Sequence, residues 1–231
     1  MDGKDILLIN GHEHTAYQQR ETYSAEQMIE RAESYYQWLD QRRSIREFSD
    51  RPVPKAVIEN LIRTASSAPS GAHKQPWTFC AIANPALKQQ IRVAAEAEEK
   101  LSYEERMSDR WKDDLAPLGT DMHKPFLEIA PWLIIVFKKA YDLDEAGNRH
   151  NNYYVNESVG IACGMLITAI HNAGLVTLTH TPSPMNFLAR ILERPANERA
   201  YILFPVGYPA DEVYVPNIER KPLEEVSLFF E

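Results

Sequence analysis

The chain has 231 residues, 44% of them apolar, with 33 acidic against 25 basic side chains and a formal net charge of −8. Such a length allows one large domain or two small ones, and the apolar fraction supports a packed core. The acidic balance and the lack of a basic stripe exclude a nucleic-acid backbone as partner. Cys80 and Cys163 lie in apolar runs and read as free thiols of a reducing cytosol. There is no C-x-x-C and no H-x-x-x-H, so no metal site is expected. The opening Met1-Asp2-Gly3-Lys4-Asp5 reads as neither signal nor anchor, and no apolar run reaches bilayer length. A cytoplasmic protein with no membrane partner is expected.

Residues 1–22 read as an irregular arm. Ser24-Ala25-Glu26-Gln27 is a capping box and predicts a helix with Met28, Ala32, Tyr35 or Tyr36, and Leu39 on one face. That helix delivers Arg42-Arg43-Ser44-Ile45-Arg46. Pro54 starts a second helix with Val57, Ile58, Leu61, Ile62 and Ala65 as its stripe, ending before Pro69. A strand follows over 77–83, then a helix from Pro85 through Leu87, Ile91, Ala94 and Ala95 whose far end is very polar. Tyr103, Met107, Trp111 and Leu115 recur every four residues in a charged, sparsely apolar stretch, which predicts short helical pieces acting as a lid over about 96–125.

Residues 132–137 form a continuous apolar run and predict a central strand, followed by a polar loop over 142–152. The segment 155–173 is apolar nearly all round and predicts a helix buried on several sides. Gly160 and Gly164 in it are spaced for close helix approach at a subunit interface, and Gly174 serves as its C-terminal cap. A strand over 175–179, a turn at Thr181-Pro182, a helix around 187–192 and a last core strand over 200–206 complete the expected core. The tail from 213 ends in Val226-Ser227-Leu228-Phe229-Phe230, and a partner subunit would bury it. The organisation expected is an arm over 1–22, one domain over 23–210 with four or five strands among longer helices, and an arm over 211–231.

The chemistry concentrates in two stretches. Arg42, Arg43 and Arg46 bring three guanidiniums together, and Ala68-Pro69-Ser70-Gly71-Ala72-His73 adds a glycine turn just before Gln75-Pro76-Trp77. Arginine's planar fork matches phosphate oxygens in pairs, and a Ser-Gly turn lets backbone amides approach a ligand closely. The set suits a ligand with a dianionic phosphate at one end and a flat polar ring at the other, and FMN fits that description. No G-x-G-x-x-G or G-x-x-x-x-G-K occurs. Glu99, Tyr103 and Lys124 supply an anion, a phenol donor and a cation, which together suit a zwitterionic amino acid.

With Asn156-Glu157-Ser158, Asn172-Ala173-Gly174-Leu175, Pro205-Val206-Gly207-Tyr208-Pro209 and Arg220-Lys221-Pro222, these motifs resemble the FMN-dependent nitroreductase superfamily and, within it, the iodotyrosine deiodinase family. The resemblance covers roughly residues 13–226. It implies an α+β nitroreductase-like FMN fold, a central mostly antiparallel sheet flanked by helices, in an intertwined homodimer. It implies that Arg42, Arg43, Ser44, Ile45, Arg46 and Arg220 hold the flavin phosphate. Ser70 and Gly71 would line the ring and ribityl, and Thr179, His180 and Thr181 would lie beside the isoalloxazine. Thr181 would hydrogen-bond flavin N5 as the catalytic residue, favouring single-electron steps through the flavin semiquinone. Ala72, Glu99, Tyr103 and Lys124 would bind substrate. The implied reaction is reductive dehalogenation of halotyrosines, with reducing equivalents ultimately from NAD(P)H or a reductase. A general nitroreductase or quinone reductase, a flavin-consuming dimethylbenzimidazole synthase and a non-catalytic flavin-containing sensor of tyrosine derivatives are the alternatives. Animal deiodinases carry a membrane anchor, and a soluble form without one is expected here.

Overall fold

A computed structural model of the chain describes residues 6–17 and 21–231, so 1–5 and 18–20 of the expected arm lie outside the described residues. The chain divides into two compact units, Met1–Arg42 and Arg43–Glu231. In the first, β1 (Ile6–Ile9) and β2 (His12–Thr15) form an antiparallel hairpin with Ile6 opposite Thr15. The irregular arm expected over 1–22 is therefore a hairpin across these residues. The reason is local: Asn10 and Gly11 take positive φ, 52° and 80°, and Asn-Gly is the pair that tolerates two such residues in a tight turn. Helix α1 (Ala25–Asp40) starts at Ser24 with the expected capping box complete in both directions. None of its residues is buried, so the stripe seen in the sequence is not covered within the single chain: Met28, Tyr35 and Tyr36 are 55%, 55% and 64% exposed.

The second unit is built on a four-stranded antiparallel sheet in the order β3-β4-β8-β7. Helix α2 (Lys55–Ser66) precedes β3 (Trp77–Ile82), and α3 (Pro85–Leu101) follows it, capped by Asn84 with Pro85 in its first turn. A single π-helical turn, Ser102–Arg106, leads through α4 (Asp109–Leu115) and the short α5 (Phe126–Ile129) to β4 (Trp132–Lys139). The polar loop expected over 142–152 contains a second hairpin, β5 (Tyr141–Leu143) with β6 (Arg149–Asn151), closed by the Asp144 carboxylate accepting from Asn148 and pairing with His150. Helix α6 (Val155–Asn172), β7 (Val176–Thr177), α7 (Asn186–Ile191), β8 (Glu198–Gly207) and α8 (Leu223–Val226) complete the unit.

Strand β4 is central, as the apolar run requires, and Leu133 to Phe137 are fully buried. Alternate side chains leave a strand on opposite faces. Ile134 and Val136 pack with Phe204 against α2 and α6, through Ile58, Leu61, Ala162 and Leu166. Leu133, Ile135 and Phe137 pack on the other side with Ile91 and Ala95 of α3, Leu127 of α5 and Leu188 of α7. The sheet is thus covered by helices on both faces. The sheet has four strands, where four or five were expected, and β1–β2 and β5–β6 are separate two-stranded sheets. Strand β7 is shorter than the expected 175–179 because the chain leaves β8 after Thr177 and rejoins it only at His180, which bridges to Leu203. The tail stays open within the single chain, with Leu228 and Phe230 83% and 92% exposed.

Phe137→Ala removes a fully buried ring from the second of these layers. It should cost about 3–5 kcal/mol in urea unfolding, with the denaturant slope unchanged.

Candidate functional site

The last turn of α3, the π-helical turn and the segment up to Lys124 form one wall of a cavity of about 250 Å³; Leu178 to Thr181, Ser183 and Arg46 form the other. Glu99, Tyr103 and Lys124 all line it, so the structure brings the three residues together as their chemistry suggested. Lys124 Nζ lies 3.7 Å from Glu99 Oε2, with the two side chains only 5% and 13% exposed. It also donates to Thr120 Oγ1 at 3.1 Å and to the Asp121 carbonyl. The backbone N–H of Lys124 donates to Glu96 Oε1 (2.7 Å), which Arg92 holds from the other side (2.8 Å). Tyr103 donates its hydroxyl to the Thr120 carbonyl at 3.0 Å.

Burial dominates the electrostatics. It pushes the Glu99 carboxyl up against the opposing pull of Lys124. It pulls the Lys124 ammonium down, with Glu99 and Asp121 resisting. Tyr103 is raised by burial and then by the negative charge of Glu99. Thr120 is the member of this cluster that the sequence did not signal. Its position depends on a turn through Gly119, at φ 60°.

His180 lies in the same cavity wall. Its backbone makes two hydrogen bonds with Leu203, at 2.8 and 3.0 Å, and its ring meets Phe126 edge-on at 5.6 Å. Its Nε2 is buried without a partner. Burial, then the positive charges of Lys124 and Arg46, lower its pKa to about 3, so the imidazole is neutral at pH 7. Thr179 and Thr181 flank it at the exposed rim.

The arginine cluster divides. Arg42 belongs to the first unit, and Arg43 onward to the second. Arg43 is half-buried and donates to the Pro216 carbonyl. Ile45 is buried and spends its N–H on the Thr177 carbonyl (3.2 Å), which sets Ser44 beside Thr177 and turns Arg46 into the cavity wall. Arg220 is exposed in the tail.

Ser70, Gly71 and Ala72 do not line this cavity; they sit against the start of α6. Ser70 Oγ accepts from the Gln75 N–H at 2.9 Å, and the Gly71 N–H donates to Ser158 Oγ at 3.3 Å. A Cβ on Gly71 would stand 2.9 Å from both the Tyr153 carbonyl oxygen and the Tyr154 ring, so glycine is required. Ala72, His73 and Gln75 have φ of 48°, 54° and 46°, a concentration of strained backbone of the kind that marks ligand clamps. Within one chain the candidate residues therefore form two groups. Among the described residues no three His, Cys, Asp or Glu side chains cluster to hold a metal ion, and no helix is long and apolar enough to cross a membrane.

The profile of the nitroreductase family matches residues 39–208, and the chain belongs to that family. It is 59% identical to an iodotyrosine deiodinase of Haliscomenobacter hydrossis over 208 residues, 90% of this chain and 94% of that one. It is 45% identical to iodotyrosine deiodinase 1 of Homo sapiens over 205 residues, 88% of this chain and 71% of the other. The fold matches a crystal structure of oxidized iodotyrosine deiodinase bound to FMN and 3-iodo-L-tyrosine, with a TM-score of 0.73 at 29% identity, over 84% of this chain and 99% of that one. A BluB-like flavoprotein from Clostridium difficile 630 shares the fold, with a TM-score of 0.63 at 20% identity over 85% and 99% of the two chains.

The His180 environment has a pH signature. Its folded pKa lies below the usual 6.5, so the stability tied to the neutral ring is present above pH 6.5 and is lost as pH falls toward about 3. The loss should be confined largely to that window. His180→Gln should flatten this part of the stability curve in urea unfolding measured from pH 7 to pH 4.

Proposed function

We propose that this protein is an FMN-dependent oxidoreductase that removes iodide reductively from iodotyrosine and returns tyrosine. The observation that carries this reading is the buried Glu99–Lys124 pair with Tyr103, set across one cavity from Thr179 and Thr181. An amino-acid substrate presents an ammonium and a carboxylate a few ångströms apart. Glu99 takes the ammonium; Lys124 and Tyr103 take the carboxylate. The pair is already desolvated, so these contacts are made in a medium where charge attraction is stronger than in water. A nitroaromatic or quinone makes no use of such a set. The 59% identity to an iodotyrosine deiodinase supports the same substrate class.

The donor set fits FMN. The Arg46 guanidinium, the Thr179 and Thr181 hydroxyls and the unpartnered His180 Nε2 share one wall. When bound, FMN would supply two electrons, one at a time, which with one proton would convert an aryl carbon–iodine bond into carbon–hydrogen and release iodide. Arg42, Arg43, Ser44, Arg46 and Arg220 would hold the phosphate end, with Ile45 fixing the backbone between them through its N–H on the Thr177 carbonyl, and the Thr181 hydroxyl would donate a hydrogen bond toward flavin N5. The segment over 96–125 acts as a lid that excludes water once Glu99 and Lys124 have engaged substrate.

The second group completes the site in a homodimer. Ser70 and Gly71 line the flavin from a second copy of the chain, and the Ala72 N–H donates to the substrate phenolate. The separation of this group from Glu99 and Lys124 within one chain supports that arrangement, as does the exposed apolar tail. The two free thiols support a cytoplasmic setting, where NAD(P)H, directly or through a reductase, supplies the electrons.

The test is anaerobic. The reduced holoprotein mixed with diiodotyrosine should be reoxidised as iodide and tyrosine appear, over many turnovers when reductant is supplied. Reoxidation by nitroaromatics or quinones but not by diiodotyrosine would reassign the protein to general flavin reduction, and binding without turnover would make it a sensor. Glu99→Gln should lower kcat/KM for iodotyrosine by about 30- to 100-fold, the loss of one buried charged contact. Nitroaromatic reduction should stay within a few-fold, and equal losses on both substrates would contradict the assigned role.

A further inference from the structure

The π-helical turn that presents Tyr103 also grips the opposite wall of the cavity. Arg106 Nη1 donates to the Ser183 carbonyl at 3.0 Å and to Glu98 Oε2 at 3.0 Å, one N–H for each acceptor. Ser102 Oγ donates to the same Ser183 carbonyl at 3.4 Å. Met107 N–H closes the turn onto the Ser102 carbonyl at 2.9 Å, which fixes the spacing of the two donors. On the far wall, His180 is tied to Leu203 by its two backbone hydrogen bonds. Thr181 therefore hangs between two anchors, the strand bridge at His180 and the clasp at Ser183.

We propose that Arg106 is a positioning residue: it fixes the Thr181 loop through the Ser183 carbonyl, and so couples the placement of the Thr181 hydroxyl to the docking of the segment that carries Glu99 and Tyr103. The inference rests on the reading of Thr181 given above. Stability does not explain the contact. The Arg106 and Glu98 side chains are 43% and 24% exposed, and ion pairs of that kind stabilise by about 1 kcal/mol or less. What the contact supplies is geometric. A π-helical turn widens the helix by one residue, and such turns recur at functional sites. Here the wider turn sends Tyr103 into the cavity and places Arg106, three residues on, against the opposite loop. Glu98, one residue before Glu99, holds the guanidinium in place. The residues that read the amino-acid end of the substrate and the residues that hold the Thr181 loop are thus consecutive or nearly so. A substrate lacking the ammonium and carboxylate would dock the segment poorly and leave the Thr181 loop loose.

Arg106→Met keeps the apolar stem and removes both donors; Arg106→Lys restores donors at the end of a chain of similar reach. The first measurement needs no flavin: hydrogen exchange of the His180 and Leu203 amides, whose mutual backbone hydrogen bonds anchor the loop that the clasp holds at its other end. Exchange should be roughly tenfold faster in Arg106→Met and return close to the parent value in Arg106→Lys. In the holoprotein, Arg106→Met should lower kcat for iodide release about tenfold with little change in KM, and should add almost no further loss in a Thr181→Ala background. Unchanged exchange, a loss confined to KM, or full additivity with Thr181→Ala would overturn the proposal. If Arg106→Met does not fold, Ser102→Ala tests the same clasp and should shift exchange in the same direction by a smaller factor. A parent protein that releases no iodide would remove the functional reading, while the exchange data would still decide whether the clasp holds the loop.

Discussion

Strand β4 has no face left for water, and the site depends on that constraint. Its five fully buried residues alternate between two helical layers, so neither layer can shift without opening a void in the other. One layer, α3 with α5 and α7, delivers the cavity. The last turn of α3 presents Glu99, and α5 begins two residues after Lys124, so the backbone positions of both charges are set by core packing. The other layer, α2 with α6, shapes the Ser70–Ala72 turn. That turn follows α2 and rests on the start of α6, where Tyr154 has φ 47° and leaves no room for a side chain on Gly71. The two candidate groups thus belong to opposite faces of one sheet, which is why a single chain does not unite them.

The cavity resolves a conflict between charge and burial. Glu99 and Lys124 are each disfavoured in their charged forms by desolvation, and each is supported by the other. A buried pair of this kind is weak evidence for stability, since apolar residues of similar volume often do as well. A pair that costs this much and lines a cavity is better explained by what it binds. His180 follows the same logic with the opposite result. Placed near two cations and away from water, it stays neutral, and it adds a polar atom to the wall without adding a third positive charge.

The backbone between these charges is organised by local devices. The Ser108 cap of α4, the π-helical turn and the Gly119 turn set the path of 102–124, while Thr120 and Asp121 hold Lys124 from below. Little of this segment is buried deeply, and its order rests on side-chain contacts with neighbouring carbonyls and carboxylates. Contacts of this kind yield at lower cost than buried apolar packing.

Much of this was legible in the sequence. The apolar run at 132–137 specified a central strand because a run that is both short and apolar at every position suits a strand buried on both faces. The Ser24 box and Pro54 marked helix starts because capping chemistry is local. Glu99, Tyr103 and Lys124 were readable as a set because an anion, a phenol and a cation together suit a zwitterion. The hairpin over 6–15 is also written locally, in Asn10-Gly11. Other features were decided only by tertiary structure. Thr120 and the Arg106 contact with Ser183 depend on segments brought together from 17 and 77 residues away along the chain, and the neutral state of His180 on its burial near Lys124 and Arg46, all beyond the reach of any local pattern. The burial that shifts Glu99 and Lys124 is likewise a property of the packed layers, because a side chain's dielectric surroundings are fixed by what lies across the cavity and not by its neighbours in sequence.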